Sequence, residues 1–216
     1  MAHSLLEQRK ERNTRVLVDG GRHIPKYVNE FWPSTQRQAS VIHEISYRAC
    51  FKPQVPHFFI QRFSKKGDTV YDPFMGRGTT LIEALLAGRR ALGNDINPLS
   101  VILAGPRLDI PEIQEVEDRL KRVRIVSTAK ADIDVSMFYH RKTEEEIISL
   151  KRYLDRRRRD GVEDKVDRWI RMVATNRLTG HSPGFFSVYT LPPNQAAGPD
   201  DQRRINKKRK QRPVYR

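Results

Sequence analysis

Apolar positions along this chain change their spacing several times, and each change marks an element. Thr69, Val70 and Tyr71 form a short β-favouring run that breaks at Asp72-Pro73-Phe74-Met75-Gly76-Arg77-Gly78. That pattern predicts a strand entering a tight loop. Thr79 or Thr80 is then expected to cap a helix: Leu81, Ile82, Leu85 and Leu86 recur near helical spacing, and Gly88 stands where the helix would stop. A second short run, Ala91-Leu92-Gly93, ends at Asn94-Asp95, so the stretch from Thr69 to Ser100 predicts one β-loop-α-β unit.

The flanking segments are read the same way. Met1 to Gly21 is charged, with one apolar patch at Val16 to Val18 that suits a strand after a frayed helix. Arg22 to Ser40 sets Tyr27, Phe31 and Trp32 among Lys26, Arg37 and Gln38, a mixture that serves base stacking or a packed loop equally. His43, Glu44 and Tyr47 fall in a helix-like segment, with His43 read as structural, and Pro56 to Phe63 predicts a helix. Beyond the central unit, Pro98 to Ala104 predicts a helix and Pro106 to Ile110 a loop or strand. Pro111 is expected to start a helix whose face of Ile113, Val116, Leu120 and Val123 packs on the sheet. Thr143 to Asp160 and Val162 to Leu178 predict two long charged helices, the first with a capping box at Thr143 and Glu146. Gly180 to Gly198 is rich in Pro, Gly and Ser around a β-like run at Phe185 to Thr190, and the basic tail is expected to be mobile or helical on DNA.

The central unit has a specific chemical use. Glycines at 76 and 78 let backbone approach a ligand closely, and the helix behind them offers unpaired amides. Asp95, about 20 residues past the first glycine, is placed where a carboxylate grips the two hydroxyls of a ribose. Asp72, at the end of the first strand, favours a cationic ligand over a pyrophosphate. This is the difference between S-adenosylmethionine and NAD.

Lys and Arg outnumber Asp and Glu by 41 to 26 over 216 residues, a net charge of +15, which predicts attraction to a polyanion such as nucleic acid. A single cysteine, Cys50, excludes an internal disulfide framework or a zinc site built on several cysteines, and it is read as a buried apolar residue. No metal site is suggested. Apolar runs fall short of the roughly 20 residues a membrane span needs, and the polar start does not resemble a secretory signal, so a cytoplasmic protein without membrane association is expected.

The string Asp72, Pro73, Phe74, Gly76, Gly78, Thr79, Thr80, Gly88, Arg89, Gly93 and Asp95 resembles the cofactor motif of the DNA amino-methyltransferases, which methylate the exocyclic amino group of adenine or cytosine. Upstream, Lys52-Pro53, the Pro56 to Phe63 helix and Ser64-Lys65-Lys66-Gly67-Asp68 resemble that family's Lys-Pro element and its following turn. The resemblance spans about Phe51 to Ser100. It implies a partial Rossmann-like, S-adenosylmethionine-dependent α/β sheet with a helical basic C-terminal extension. Asp72 would face the methionine amino group and Asp95 the ribose; Lys52-Pro53 would close over the methionine end. Phe74 would contact the cofactor, Asn97-Pro98 would shape the adenine pocket, and Pro73, Gly76, Gly78, Thr79 and Thr80 complete the candidate site. Domains are expected at 1–50, 51–131 (cofactor-binding), 132–180 (charged helical insert) and 181–216 (loop and basic tail).

The family's second motif, Asp/Asn/Ser-Pro-Pro-aromatic, serves catalysis on a flipped base. Only Leu191-Pro192-Pro193-Asn194 approaches it, and Leu191 cannot accept a hydrogen bond through its side chain nor Asn194 stack as an aromatic does. The catalytic residues are therefore unknown. The resemblance implies the cofactor half of a DNA methyltransferase, of the kind found in restriction-modification, with a complementing subunit or self-association covering the sheet edge. A DNA contact is expected at Arg156, Arg157, Arg158, Arg203, Arg204, Lys207, Lys208, Arg209 and Lys210. The alternatives are a non-catalytic basic nucleic-acid-binding protein with a relict pocket, or an RNA methyltransferase.

Overall fold

The computed structural model describes residues 13–19, 21–28, 39–45, 47, 50–180, 182, 184–190 and 197–215. The chain forms two compact units, 1–38 and 39–216. In the first, β1 (Asn13–Asp19) and β2 (Arg22–Val28) pair antiparallel from Asn13 opposite Val28 to Asp19 opposite Arg22. The apolar patch at Val16 to Val18 thus lies in a strand, and the expected loop of Arg22 to Ser40 starts as its partner strand. The readings on Met1 to Arg12 and on Phe31, Trp32, Arg37 and Gln38 lie outside the described residues.

The second unit opens with a 3-10 turn at Val41–His43, not the expected longer helix. Cys50 is exposed, against the expectation of burial, and it lies in neither helix nor strand. Next come α1 (Gln54–Phe63), β3 (Thr69–Asp72), α2 (Thr79–Leu86) and β4 (Arg90–Gly93). β3 and β4 run parallel, Thr69 opposite Arg90 and Asp72 opposite Gly93, with α2 as the crossover. Val70 and Ala91 point to one face, where Ile60 of α1 and Ala84 and Ala87 pack on them. On the opposite face Tyr71 and Leu92 are paired across the strands and stay 59% and 58% exposed.

Beyond the sheet, α3 (Pro98–Ala104) is the helix the sequence predicts, but the next segment is a 3-10 turn, Gly105–Leu108, rather than a strand or loop; Pro106 fixes its φ in the helical range. The following helix, α4 (Ile113–Leu120), starts after Glu112, not at Pro111, because Glu112 and Glu115 cap each other's backbone. It does not pack on the sheet. Val116 joins the cluster of Leu154, Val166 and Ile170, while Ile113 and Leu120 remain exposed.

Those cluster residues belong to α5 (Arg141–Arg159) and α6 (Lys165–Arg177). The capping box expected at Thr143 and Glu146 does not form. The His140 side chain accepts from the Lys142 N–H at 3.2 Å and starts the helix two residues earlier, which turns Thr143 inward, and Glu146 instead accepts the Tyr215 hydroxyl at 2.6 Å. A reciprocal box stands at Asp164 and Asp167 of α6. Met172 of α6 packs with Ile45 and Leu103, so this helix shares a core with α3. The β-like run Phe185 to Thr190 is not a strand; its amides bond to separate places, Phe186 to Arg177 O and Val188 to Phe138 O, leaving one isolated bridge between Gly180 and Tyr189. The basic tail is helical within the chain itself, as α7 (Pro199–Arg209), whose Gln202 is its buried residue. Among the described residues no helix is long and apolar enough to cross a membrane.

Candidate functional site

Parallel strands end at the same edge, and here that edge carries two carboxylates. Asp72 closes β3, and its Oδ1 accepts the Phe74 N–H at 3.0 Å, bending the chain out of the strand. The ladder runs on past the strands, since Asn94 N–H donates to Asp72 O and Met75 N–H to Asn94 O, each at 2.9 Å. Met75 is thereby pinned inside, against Leu81 and Ala104. The loop can lie this close to β4 because position 93 is glycine: a Cβ there would stand 2.6 Å from Met75 Sδ.

Asp95 is the centre of the arrangement. Its Oδ2 accepts the Gly76 N–H at 2.8 Å and its Oδ1 the Asn97 N–H at 2.8 Å. These backbone bonds, that of Asn97 first and then that of Gly76, hold its carboxyl below the usual carboxylate range, so it is ionised. A carboxylate has about four lone-pair directions; the two backbone N–H groups take two and the Ser100 side chain also donates to it. The remaining one is left for a ligand.

The helix expected to be capped by Thr79 or Thr80 is capped by neither. Gly78 occupies that position in the left-handed region (φ 81), where an added Cβ would lie 2.7 Å from that of Ala104, and Thr79 and Thr80 are the first residues of α2. A glycine has no side chain to cap the helix start, and first-turn amides left without such a cap suit ligand oxygens. Thr79 is buried and accepts from Arg77 Nε at 3.2 Å; Thr80 is half-buried. Phe74 is 86% exposed and Ile96, beside Asp95, fully so. Asn97 caps α3 by accepting the Leu99 N–H at 3.0 Å. Lys52 and Pro53 form the entry to α1, where Lys52 O accepts from Val55 N–H and Pro53 O from His57 N–H.

Behind this edge stands a layer that motif reading missed. Tyr47 hydroxyl lies 3.2 Å from Ser100 Oγ and receives Asn97 Nδ2 at 3.4 Å, and its ring would meet a Cβ on Gly76 at 3.3 Å. Arg77 Nη1 donates to His43 O at 3.1 Å and Ile45 O at 3.0 Å, while Arg107 donates to Leu103 O at 2.8 Å, Ile42 O at 3.0 Å and Arg77 O. Glu83, buried on α2, takes His43 Nε2 at 2.7 Å and His57 Nδ1 at 2.9 Å, binding the 3-10 turn and α1 to α2; His43 has the structural place expected of it. Arg89 caps α1 at its end, donating to Ser64 O at 2.7 Å and Ser64 Oγ at 3.0 Å. Of Tyr47, Arg77, Glu83, Arg107 and Arg89, only Arg89 carried a signal in sequence, through its place in the motif.

The basic residues divide. Arg157 is turned inward, its Nε on Asp167 Oδ2 at 2.6 Å, whereas Arg156 and Arg158 are exposed. Arg203 pairs with Asp200 and Asp134, and Arg204 with Asp201. Lys207, Lys208, Arg209 and Lys210 are exposed at the end of α7. Leu191-Pro192-Pro193-Asn194 lies outside the described residues.

Residues 3–103 match the family model described as DNA methylase. The chain is 34% identical over 85 residues to the type II methyltransferase M.MjaII of Methanocaldococcus jannaschii, covering 39% of this chain and 16% of that protein. With the type II methyltransferase M.BsoBI of Geobacillus stearothermophilus it shares 32% over 99 residues, 44% of this chain and 19% of the relative. With the type II methyltransferase M.MvaI of Kocuria varians it shares 43% over 61 residues, 27% and 13%. No solved structure matches. Over its N-terminal part this chain is thus similar to DNA methylases, and it spans less than a fifth of the length of these curated relatives.

Proposed function

We propose that this chain is the cofactor-binding part of an S-adenosylmethionine-dependent DNA amino-methyltransferase. The carrying observation is the paired carboxylate edge: Asp95 held in place by Gly76 N–H and Asn97 N–H, and Asp72 at the end of the neighbouring parallel strand. Asp95 takes the ribose hydroxyls, Asp72 the methionine ammonium, and the exposed Phe74 and Ile96 border the adenine. Gly76 and Gly78 bring backbone amides to the cofactor, with Pro73 setting the turn and Thr79 and Thr80 the helix start; Asn97 shapes the adenine side and Lys52-Pro53 the methionine end. When bound, S-adenosylmethionine supplies the methyl group. This chain's residues bind and orient it.

The net charge of +15 suits a DNA substrate, with the exposed Arg156, Arg158 and end of α7 as the basic extension that meets phosphates. Parallel sheets are covered on both faces. The Tyr71 and Leu92 face calls for a complementing polypeptide, which would extend the two strands to a Rossmann-like sheet and bring the catalytic loop. Calorimetric titration of the purified chain with S-adenosylmethionine tests the cofactor reading: binding in the micromolar range is expected, weakened about tenfold or more in Asp95→Ala through loss of hydrogen bonds to a charged group. Unchanged affinity in that variant would sink the ribose assignment.

A further inference from the structure

We infer that Tyr189 and the last turn of α7 form a site for one unpaired nucleotide of DNA, the base lying on the Tyr189 ring and its phosphates on the adjoining lysines. This rests on the reading that DNA is the substrate, and it adds a place and a mode of contact which the arginine and lysine count does not contain. A cleft of about 350 Å³ is lined by Tyr189, Ile205, Lys208 and Arg209: one aromatic ring, one aliphatic wall and two cations. Proteins that hold single strands combine those groups, a ring for the base and cations for the backbone.

The ring already carries a flat cation. The Arg209 guanidinium carbon stands 3.5 Å from the Tyr189 ring centroid, so the face of the ring accepts a planar group. The backbone beneath the ring is also fixed in advance, because Tyr189 O accepts Gln202 Nε2 of α7 at 2.9 Å and Gln211 Nε2, just past that helix, at 2.8 Å. Charge along α7 is sorted in the same sense. Arg203 and Arg204 are matched by Asp200, Asp134 and Asp201, whereas among the ion pairs of the described residues none includes Lys207, Lys208, Arg209 or Lys210. Cations at a helix C-terminus favour the helix dipole, which accounts for their number but not for an aromatic ring placed against them. The cleft between α4 and α6, about 310 Å³, has the opposite character: Glu115, Asp118 and Asp164 line it beside Arg119, Arg122 and Lys165, and the carboxylates would repel a phosphate.

Fluorescence anisotropy with a labelled oligo-dT and a duplex of equal length, each at several salt concentrations, tests the site. Stacking predicts that Tyr189→Ala weakens oligo-dT about five- to hundredfold with little change on the duplex, and that Tyr189→Phe retains wild-type affinity. Lys208→Gln should lower the salt slope on oligo-dT by about 0.7. Ile205→Asp, which leaves the glutamine anchors in place, should reduce oligo-dT binding more than duplex binding. Unchanged oligo-dT affinity in Tyr189→Ala and Ile205→Asp, or equal losses on the two DNAs, overturns the proposal. S-adenosylmethionine affinity measured on the same variants should stay at the wild-type value, which separates failure of this site from failure of the cofactor reading.

Discussion

Around the glycine loop, Arg77 and Arg107 reach backbone carbonyls; at the junction of α4, α5 and α6, Arg119 and Arg157 reach carboxylates. The first pair joins Ile42, His43 and Ile45 to the loop and to Leu103, and among the described residues no carboxylate pairs with either. Burial pushes the Arg107 guanidinium down to about 10, and the Arg77 charge beside it acts the same way. In the second pair, Arg119 bonds Asp164 Oδ2 at 2.6 Å and also Asp167, and Arg157 bonds Asp167 Oδ2 at 2.6 Å. The hydrogen bond that Arg119 donates to Asp164 raises the Arg119 pKa despite burial. Carbonyl acceptors fix the position of particular backbone segments without neutralising charge, which suits a loop that must hold a shape. Carboxylate acceptors neutralise, which suits a junction between helices.

Removing a carboxylate should have the largest effect. Asp167 is fully buried with both arginines on it, so Asp167→Ala leaves two guanidinium groups short of their acceptor. We expect a loss of about 3–5 kcal/mol in urea unfolding. A loss under about 1 kcal/mol, the range of exposed pairs, would mean that solvent already screens the junction. Arg107→Met should cost less, about 1–3 kcal/mol, since the carbonyls of Ile42, Leu103 and Arg77 lose a donor while the burial of a charge is relieved. The same variant should lower S-adenosylmethionine affinity, because Arg107 holds the loop through Arg77; stability lost with affinity intact would separate the network from the site.

How far each region could be read in advance follows from what its residues answer to. The loop answers to its own backbone: Gly78 has positive φ and Gly93 lacks room for a Cβ, requirements that leave glycines in the sequence at fixed spacing. Asp72 and Asp95 follow at the strand ends. The helix start could not be read as well, since Thr79 and Thr80 have the composition of caps but Gly78 takes that position. Long-range partners leave even less trace. Nothing local distinguishes Arg157 from Arg156 or Arg158; the turn after α5 brings Asp164 and Asp167 back beneath it alone. Tyr47, Glu83 and Arg107 act on segments tens of residues away, and no spacing rule connects them to the loop.

Acid should separate the two networks with the smallest perturbation. Although burial pushes Asp164 up, the Arg119 hydrogen bond and the Asp167 N–H outweigh it and hold the carboxyl at about 2, below its ordinary 3.8. A carboxylate whose folded pKa is depressed adds stability that is complete above its unfolded pKa and is lost as pH falls through the folded one. The α4–α6 contribution is therefore whole at pH 5 and above and should fade between roughly pH 4 and pH 2. Arg77 and Arg107 bond to carbonyls, which do not titrate in that window, so their contribution persists. Urea midpoints of the wild type and Asp164→Asn, followed from pH 5 downward, give the comparison: the wild type should fall toward the variant as acid is added. Parallel curves throughout would show that Asp164 contributes no charge-dependent stability, and that the junction is held by Asp167 alone.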